Sequence, residues 1–247
     1  MVTAVPQDQW RLLDVQAHDT RLAQIAHRRT SLPEHAELAA LAERARTQGD
    51  RLVAARTLVE DITRELAKAE ADVEQVRQRA ARDQARLDSG QGSPKDLQAL
   101  QHEVASLAAR QSALEDVELE VMERLEQAGA ELDQLKAEAD RLDAETADAT
   151  QRRDAALATL DDEAAGEQRA RADAVAGLPA DLIALYEKIR ANNGGVGAAR
   201  IYQRRCEGCR LELNTTDIGR LRDAPENAVI RCEECGRIQV RTADSGL

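Results

Sequence analysis

Steps of three and four residues from Leu38 trace an apolar seam through Leu41, Ala45, Leu52, Ala55, Val59, Ile62, Leu66, Ala69, Val73, Val76, Ala80 and Leu87. Thirteen of the 15 positions are apolar, and Gln48 and Asp83 are the exceptions. A second seam runs from Leu97 to Glu163 with 15 of 20 positions apolar, and it weakens after Leu142. Heptad spacing sustained over this length predicts two long coiled-coil helices.

Between them lies "DSGQGSPKDLQAL", starting at Asp88. Gly90 and Gly92 end the first helix, Ser93 caps the second, Pro94 suits its first position, and Asp96 favours its first turn. A short break between matched seams predicts an antiparallel hairpin rather than a parallel coil formed between chains. If Leu87 faces Leu97, facing residue numbers total about 184, so helix one begins near residue 8 and helix two ends near residue 175. Pro33 breaks the first helix near 29–33, and "SLPE" reads as a capping box with Ser31 at the cap and Glu34 three later.

Beyond the seam, Gly177 and Pro179 end the second helix. "PADLIALYEKIRA" predicts a short amphipathic helix from about 179 to 191, and "NNGGVG" stops it and reads as a hinge. The expected architecture is mainly α. It has a helical hairpin over 1–177 (tip about 89–95), a short helix and Gly-rich hinge over 178–195, and a small β-rich C-terminal domain over 196–247.

Composition fits this picture. The 247 residues include no Phe, one Trp (Trp10) and two Tyr (Tyr186, Tyr202), so Leu, Val, Ile and Ala must supply the core. The net charge of −12 argues against a protein that coats nucleic acid along its whole length, but leaves room for a local site. No stretch is apolar enough to span a bilayer, and the first 16 residues lack a signal-peptide pattern. The expectation is a cytoplasmic protein, where reducing conditions favour metal-bound over disulfide-bonded cysteines.

The chain's four cysteines follow the pattern C-x2-C-x22-C-x2-C, in "CEGC" from Cys206 and "CEEC" from Cys232. Two such turns brought together offer four soft thiolates for tetrahedral zinc; iron or a redox pair is the rival reading. One structural zinc on Cys206, Cys209, Cys232 and Cys235 is expected. Four ligands leave no open position for water, so catalytic zinc is not expected. Expected strands are 200–205, 211–213, 228–231 and 237–240, with a helical turn capped by Thr215 or Thr216 and ended by Pro225. Gly208 and Gly236 are expected to ease the turns around each pair. His18, His27, His35 and His102 all fall on the long helices, where they read as solvated positions. No nucleophile–base pair and no phosphate-cradling loop stands out, so neither an enzyme nor a small-molecule substrate is expected.

"LLDVQAHDTRLAQI…SLP" from Leu12, the tip "SPKDLQALQHEV", "YEKIRANNGGVGAARI" and "CEGC…CEECGRI" together resemble the bacterial coiled-coil hairpin proteins that end in a four-cysteine zinc ribbon. The resemblance covers nearly the whole chain. It implies that the four cysteines bind zinc, that the protein is non-enzymatic, and that its partners are nucleic acid or proteins of transcription and secretion. Many members carry Pro after the third cysteine and a more apolar end to the last motif. Glu233 and Gln239 stand there in this chain, which bears on the chemistry of the exposed knuckle.

Two functional readings follow. In the first, the ribbon binds RNA or DNA. Its candidate contacts are Arg200, Tyr202, Arg204, Arg205, Arg210, Arg220, Arg222, Arg231 and Arg237, since guanidinium pairs with phosphate and stacks on bases. Against this, residues 200–241 hold nine Arg but seven acids, and zinc with four thiolates adds −2. In the second, the chain is a protein–protein adaptor that docks partners through the hairpin tip or the helices. A bare structural spacer is a third and weaker reading, since it leaves the ribbon unexplained.

Overall fold

Pro6, Pro33 and Pro94 each open a helix in the computed structural model, which describes residues 2–247. Proline is suited to this place because its missing N–H would have no partner there, and its fixed φ already matches the helix. The helices are α1 (Pro6–Thr30), α2 (Pro33–Asp88), α3 (Pro94–Val175), α4 (Ala180–Asn192) and α5 (Thr215–Asp223). The break falls between α1 and α2 and the tip between α2 and α3. Helix α3 is capped as read: Ser93 Oγ accepts from the Asp96 N–H at 3.3 Å, and Asp96 Oδ2 accepts from Ser93 N at 3.1 Å.

The cap at Pro33 differs from expectation. Ser31 closes α1 instead of opening α2: its N–H and its hydroxyl both reach the His27 carbonyl, at 3.1 and 2.9 Å. Two residues separate the helices, so the hydroxyl meets the unpartnered carbonyls of the ending helix before the donors of the next.

The chain divides into two compact units. One holds residues 36–150, an antiparallel pair of helical arms. Leu41, Leu142 and Ala149 form one buried cluster, and Ile62, Val121 and Ala128 another. Gln48, a polar interruption of the first seam, is buried and donates to the Leu135 carbonyl at 2.8 Å. Arg79 pairs with Glu103 at 2.6 Å. These facing numbers total 183 and 182, close to the expected register. Exposed pairs such as Arg44–Glu145 and Arg124–Glu65 line the arms. Solvent-screened pairs of this kind add little stability.

The other unit holds the chain up to His35 and Gln151–Leu247. Its four-stranded sheet is built from β1 (Ala198–Tyr202), β2 (Arg205–Cys206), β3 (Ile230–Arg231) and β4 (Ile238–Val240) in the order β2-β1-β4-β3. β1 runs parallel to β4, with Ala199 opposite Gln239, and the two outer pairings are antiparallel. The expected strand at 211–213 is reduced to a single bridge from Glu212 to Arg205. The turn helix α5 is capped by Asn214, whose Oδ1 accepts from the Asp217 N–H at 2.8 Å, and not by either threonine.

Strand alternation sends Ala198, Ile238 and Val240 to one side of the sheet. There they join Leu12 and Val15 of α1 and Leu182, Tyr186 and Ile189 of α4 in one core. Ile201, Ile230 and Leu221 make a second cluster. The N-terminal segment adds to this unit, since Ala4 N donates to the Asn227 carbonyl at 2.9 Å. The ribbon therefore does not bury its apolar surface alone; α1 and α4 complete its core.

The Gly-rich stretch expected to act as a hinge is fastened. Gln16 Oε1 accepts from Gly197 N at 2.7 Å, and Gln16 Nε2 donates to the Gly195 carbonyl at 3.0 Å. A Cβ on Gly197 would stand 2.7 Å from the Tyr186 ring and from its carbonyl oxygen. Gly197 is thus needed for close approach.

Candidate metal centre

The two CxxC turns have matching backbone hydrogen bonds. In the first, Arg210 N donates back to the Cys206 carbonyl at 2.6 Å; in the second, Gly236 N donates to the Cys232 carbonyl at 2.9 Å. Each closing residue is left-handed, with φ of 64° at Arg210 and 70° at Gly236. Glycine takes this conformation freely, whereas a residue with a Cβ does so at a cost. Gly208 serves a different purpose from the one expected: a Cβ there would meet Arg237 Cδ at 2.7 Å, so it makes room for that side chain.

These turns bring all four Sγ atoms within 4.8 Å of one another. The Cys206–Cys235 and Cys209–Cys232 pairs are each 4.0 Å apart. Zn–S bonds of about 2.3 Å in a tetrahedron place sulfurs about 3.8 Å apart, so the donor set and its spacing fit a tetrahedral soft-ligand ion. Cys206 and Cys232 are buried, and Cys209 and Cys235 are half-buried. Burial pushes the Cys206 thiol up and the Cys232 thiol up to about 12. Without a cation these two sulfurs hold their protons at neutral pH; a bound divalent ion displaces them.

The arginines expected to meet phosphate divide into three groups. Arg204, Arg231 and Arg237 donate to main-chain carbonyls: to Gly246 at 2.7 Å, to Gly236 at 2.8 Å, and to Asn193 at 2.9 Å. Arg241 does the same more fully, reaching Leu221, Ala224 and Glu226 among others and so capping the end of α5. Arg200, Arg205 and Arg220 face carboxylates, respectively Glu207 at 3.8 Å, Glu212 at 3.4 Å, and Glu233 at 2.6 Å. The Arg210 and Arg222 guanidinium groups have neither a hydrogen bond nor an ion pair among the described residues. Arg200 also lies over the exposed Tyr202 ring, 5.0 Å from its centre.

Sequence reasoning missed a polar cluster beneath the ribbon. Asp19 of α1, with its side chain 4% exposed, accepts from Tyr186 Oη at 2.6 Å and from Arg171 Nε at 2.7 Å. Arg171 also pairs with Glu187, and Arg190 reaches Glu187 at 2.8 Å. Burial first, and then the Asp19 contact, push the Tyr186 hydroxyl up, so it stays a neutral donor. The signal was present in the quoted motifs: Gln16 and Asp19 come from "LLDVQAHD", and Tyr186, Glu187 and Arg190 from "YEKIR". His18 is also more than a solvated position. It is half-buried and hydrogen-bonded through Nδ1 to Glu167 Oε2 at 2.6 Å.

The two knuckles, the small sheet and the paired helical arms define a C4-type zinc ribbon joined to a coiled-coil hairpin, a zinc-binding protein class. The chain belongs to the family of the CT398-like coiled coil hairpin domain, whose model matches residues 15–194; a C4-type zinc ribbon domain matches 205–238. An uncharacterized protein of Mycobacterium tuberculosis is 37% identical over 230 residues, covering 93% of this chain and 94% of that one. A solved structure from Mycobacterium smegmatis is 38% identical with a TM-score of 0.85, covering 97% and 100% of the two chains. CT398 from Chlamydia trachomatis shares the fold at 15% identity, with a TM-score of 0.67 and coverage of 96% and 98%. No described helix is long and apolar enough to cross a membrane.

Proposed function

We propose that this chain is a non-enzymatic cytoplasmic adaptor. One zinc ion closes the ribbon through Cys206, Cys209, Cys232 and Cys235, and the outer face of the ribbon binds nucleic acid. A ligand shell of four sulfurs fits a structural ion, since catalytic zinc keeps a position open for water. The observation that carries the nucleic-acid reading is the Arg200–Tyr202 stack. Both side chains are exposed near the end of β1, and together they offer a ring face and a guanidinium to a base and its phosphate. Arg210, exposed on the first knuckle and without a partner, adds a free cation. The surface so defined is narrower than the nine positions of the sequence reading, because most of those side chains are bound within the fold.

A second reading rests on the hairpin. Val53, Leu58, Val117, Leu119 and Met122 are each at least 47% exposed, and they fall close in sequence to the Ile62–Val121 cluster. Apolar side chains left in water suit a protein partner.

The test is a titration of zinc-loaded protein against single- and double-stranded RNA and DNA at low and physiological salt. The double variant Tyr202→Ala with Arg210→Ala runs alongside. Binding that weakens with salt and falls several-fold in the variant is expected. No binding at low salt overturns the nucleic-acid reading and leaves the hairpin reading.

A further inference from the structure

A cleft of about 510 Å³ opens between the start of α1 and the end of α5, lined among others by Pro6, Trp10, Leu221, Arg222, Glu226 and Arg241. A volume of this size lies in the range of sites that take small organic groups. Trp10, the chain's one tryptophan, stands 47% exposed in it. The indole is held in place, because its Nε1–H donates to the Arg241 carbonyl at 2.7 Å. A large ring left half in water yet fixed by its only polar atom is a presented surface.

The charges around the ring favour an anion. Arg222 is exposed and has no partner among the described residues. Arg241 meets carbonyl oxygens only, so no carboxylate balances its charge. Glu226 carries the one acidic side chain among the lining residues. The Leu221, Ala224 and Glu226 carbonyls near the cleft are taken by Arg241. A peptide seeking main-chain pairing therefore finds these acceptors occupied. What remains for a ligand is a ring face and a free cation, the two elements that hold an unstacked base and its phosphate.

We propose that this cleft is a base-stacking site for single-stranded nucleic acid, with the base on Trp10 and the phosphate on Arg222. The inference rests on the nucleic-acid reading above and extends it. It moves part of the contact from the ribbon to the first turns of α1, which that reading left unused.

Because Trp10 is the only tryptophan, its emission reports this cleft alone. Zinc-loaded full-length protein would be titrated with a fluorescein-labelled single-stranded 12-mer and with an abasic strand of equal length. Label anisotropy and Trp10 emission would be followed together. The expected result is quenching of Trp10 with the same midpoint as the anisotropy change, and no quenching by the abasic strand. Arg222→Ala should weaken binding about tenfold, as should Trp10→Leu, a variant checked first for unchanged melting. Oligonucleotide binding with unchanged Trp10 emission, and undiminished in Arg222→Ala, overturns the cleft while leaving the ribbon reading standing. Equal quenching by the abasic strand overturns stacking. No binding of either strand at low salt overturns both readings.

Discussion

The hydroxyl of Tyr186 donates to the carboxylate of Asp19 across 2.6 Å, joining α4 to α1 at a point where both side chains are buried. Arg171 of α3 holds the same carboxylate, and Gln16, one turn earlier on α1, holds the backbone that leads into β1. The four-cysteine ribbon is thus docked on three helices through one polar cluster surrounded by apolar contacts.

Removing one member of that cluster should cost more than an ordinary core change. Asp19→Ala leaves the Arg171 guanidinium and the Tyr186 hydroxyl without their shared acceptor, at an expected cost of about 3 kcal/mol. Tyr186→Phe keeps the ring and loses one hydrogen bond, for about 1 kcal/mol. Urea unfolding followed through Trp10 emission measures both. Equal costs for the two variants would show that the charge contributes nothing beyond the hydroxyl.

Gln239 is 1% exposed on β4, and neither its Oε1 nor its Nε2 has a partner among the described residues. A buried amide without partners costs about 1–3 kcal/mol. Gln239→Leu, close in volume, should therefore stabilise the metal-loaded protein by about 1 kcal/mol or more. Thermal melting decides this, and a lowered melting temperature would show that the amide is satisfied in solution.

Removing the metal should act on one unit only. A strong chelator should open the two knuckles and the sheet around them, release the Trp10–Arg241 contact and shift Trp10 emission. The helical arms of residues 36–150 carry their own buried clusters and should keep their helical circular dichroism. Re-adding zinc should release protons, because thiols freed by the opened knuckles are mostly protonated at neutral pH and bind the ion as thiolates. Affinity should therefore fall as pH falls, and titration calorimetry in buffers of different ionisation enthalpy counts the protons.

Gln48 is the buried polar residue that ties α2 to the Leu135 carbonyl of α3. Gln48→Leu should raise thermal stability by about 1 kcal/mol while loosening the register of the arms, because a polar seam residue trades stability for specificity. A spin-label pair on the two arms would show a broadened distance distribution. A distribution as narrow as in the parent chain would show that the apolar clusters alone set the register.

The sequence determined the periodic parts of this protein. Two heptad seams, the prolines at helix starts, the glycines at the tip and the paired CxxC motifs each act within a few residues, and pattern alone locates them. The four cysteines were legible as one centre because their spacing and residue type leave few alternatives. The tertiary structure decided what depends on contacts between distant segments. Asp19 and Tyr186 are 167 residues apart, and nothing local marks either as buried. The arginines of the ribbon looked alike in sequence, but carbonyls and carboxylates brought in by folding occupy most of them and leave Arg210 and Arg222 without partners. Trp10 read as part of a helix, and only the packing of α5 and β4 beside it turned the indole into the wall of a cleft. Long-range pairing of this kind carries no period, so it appears only when the chain is folded.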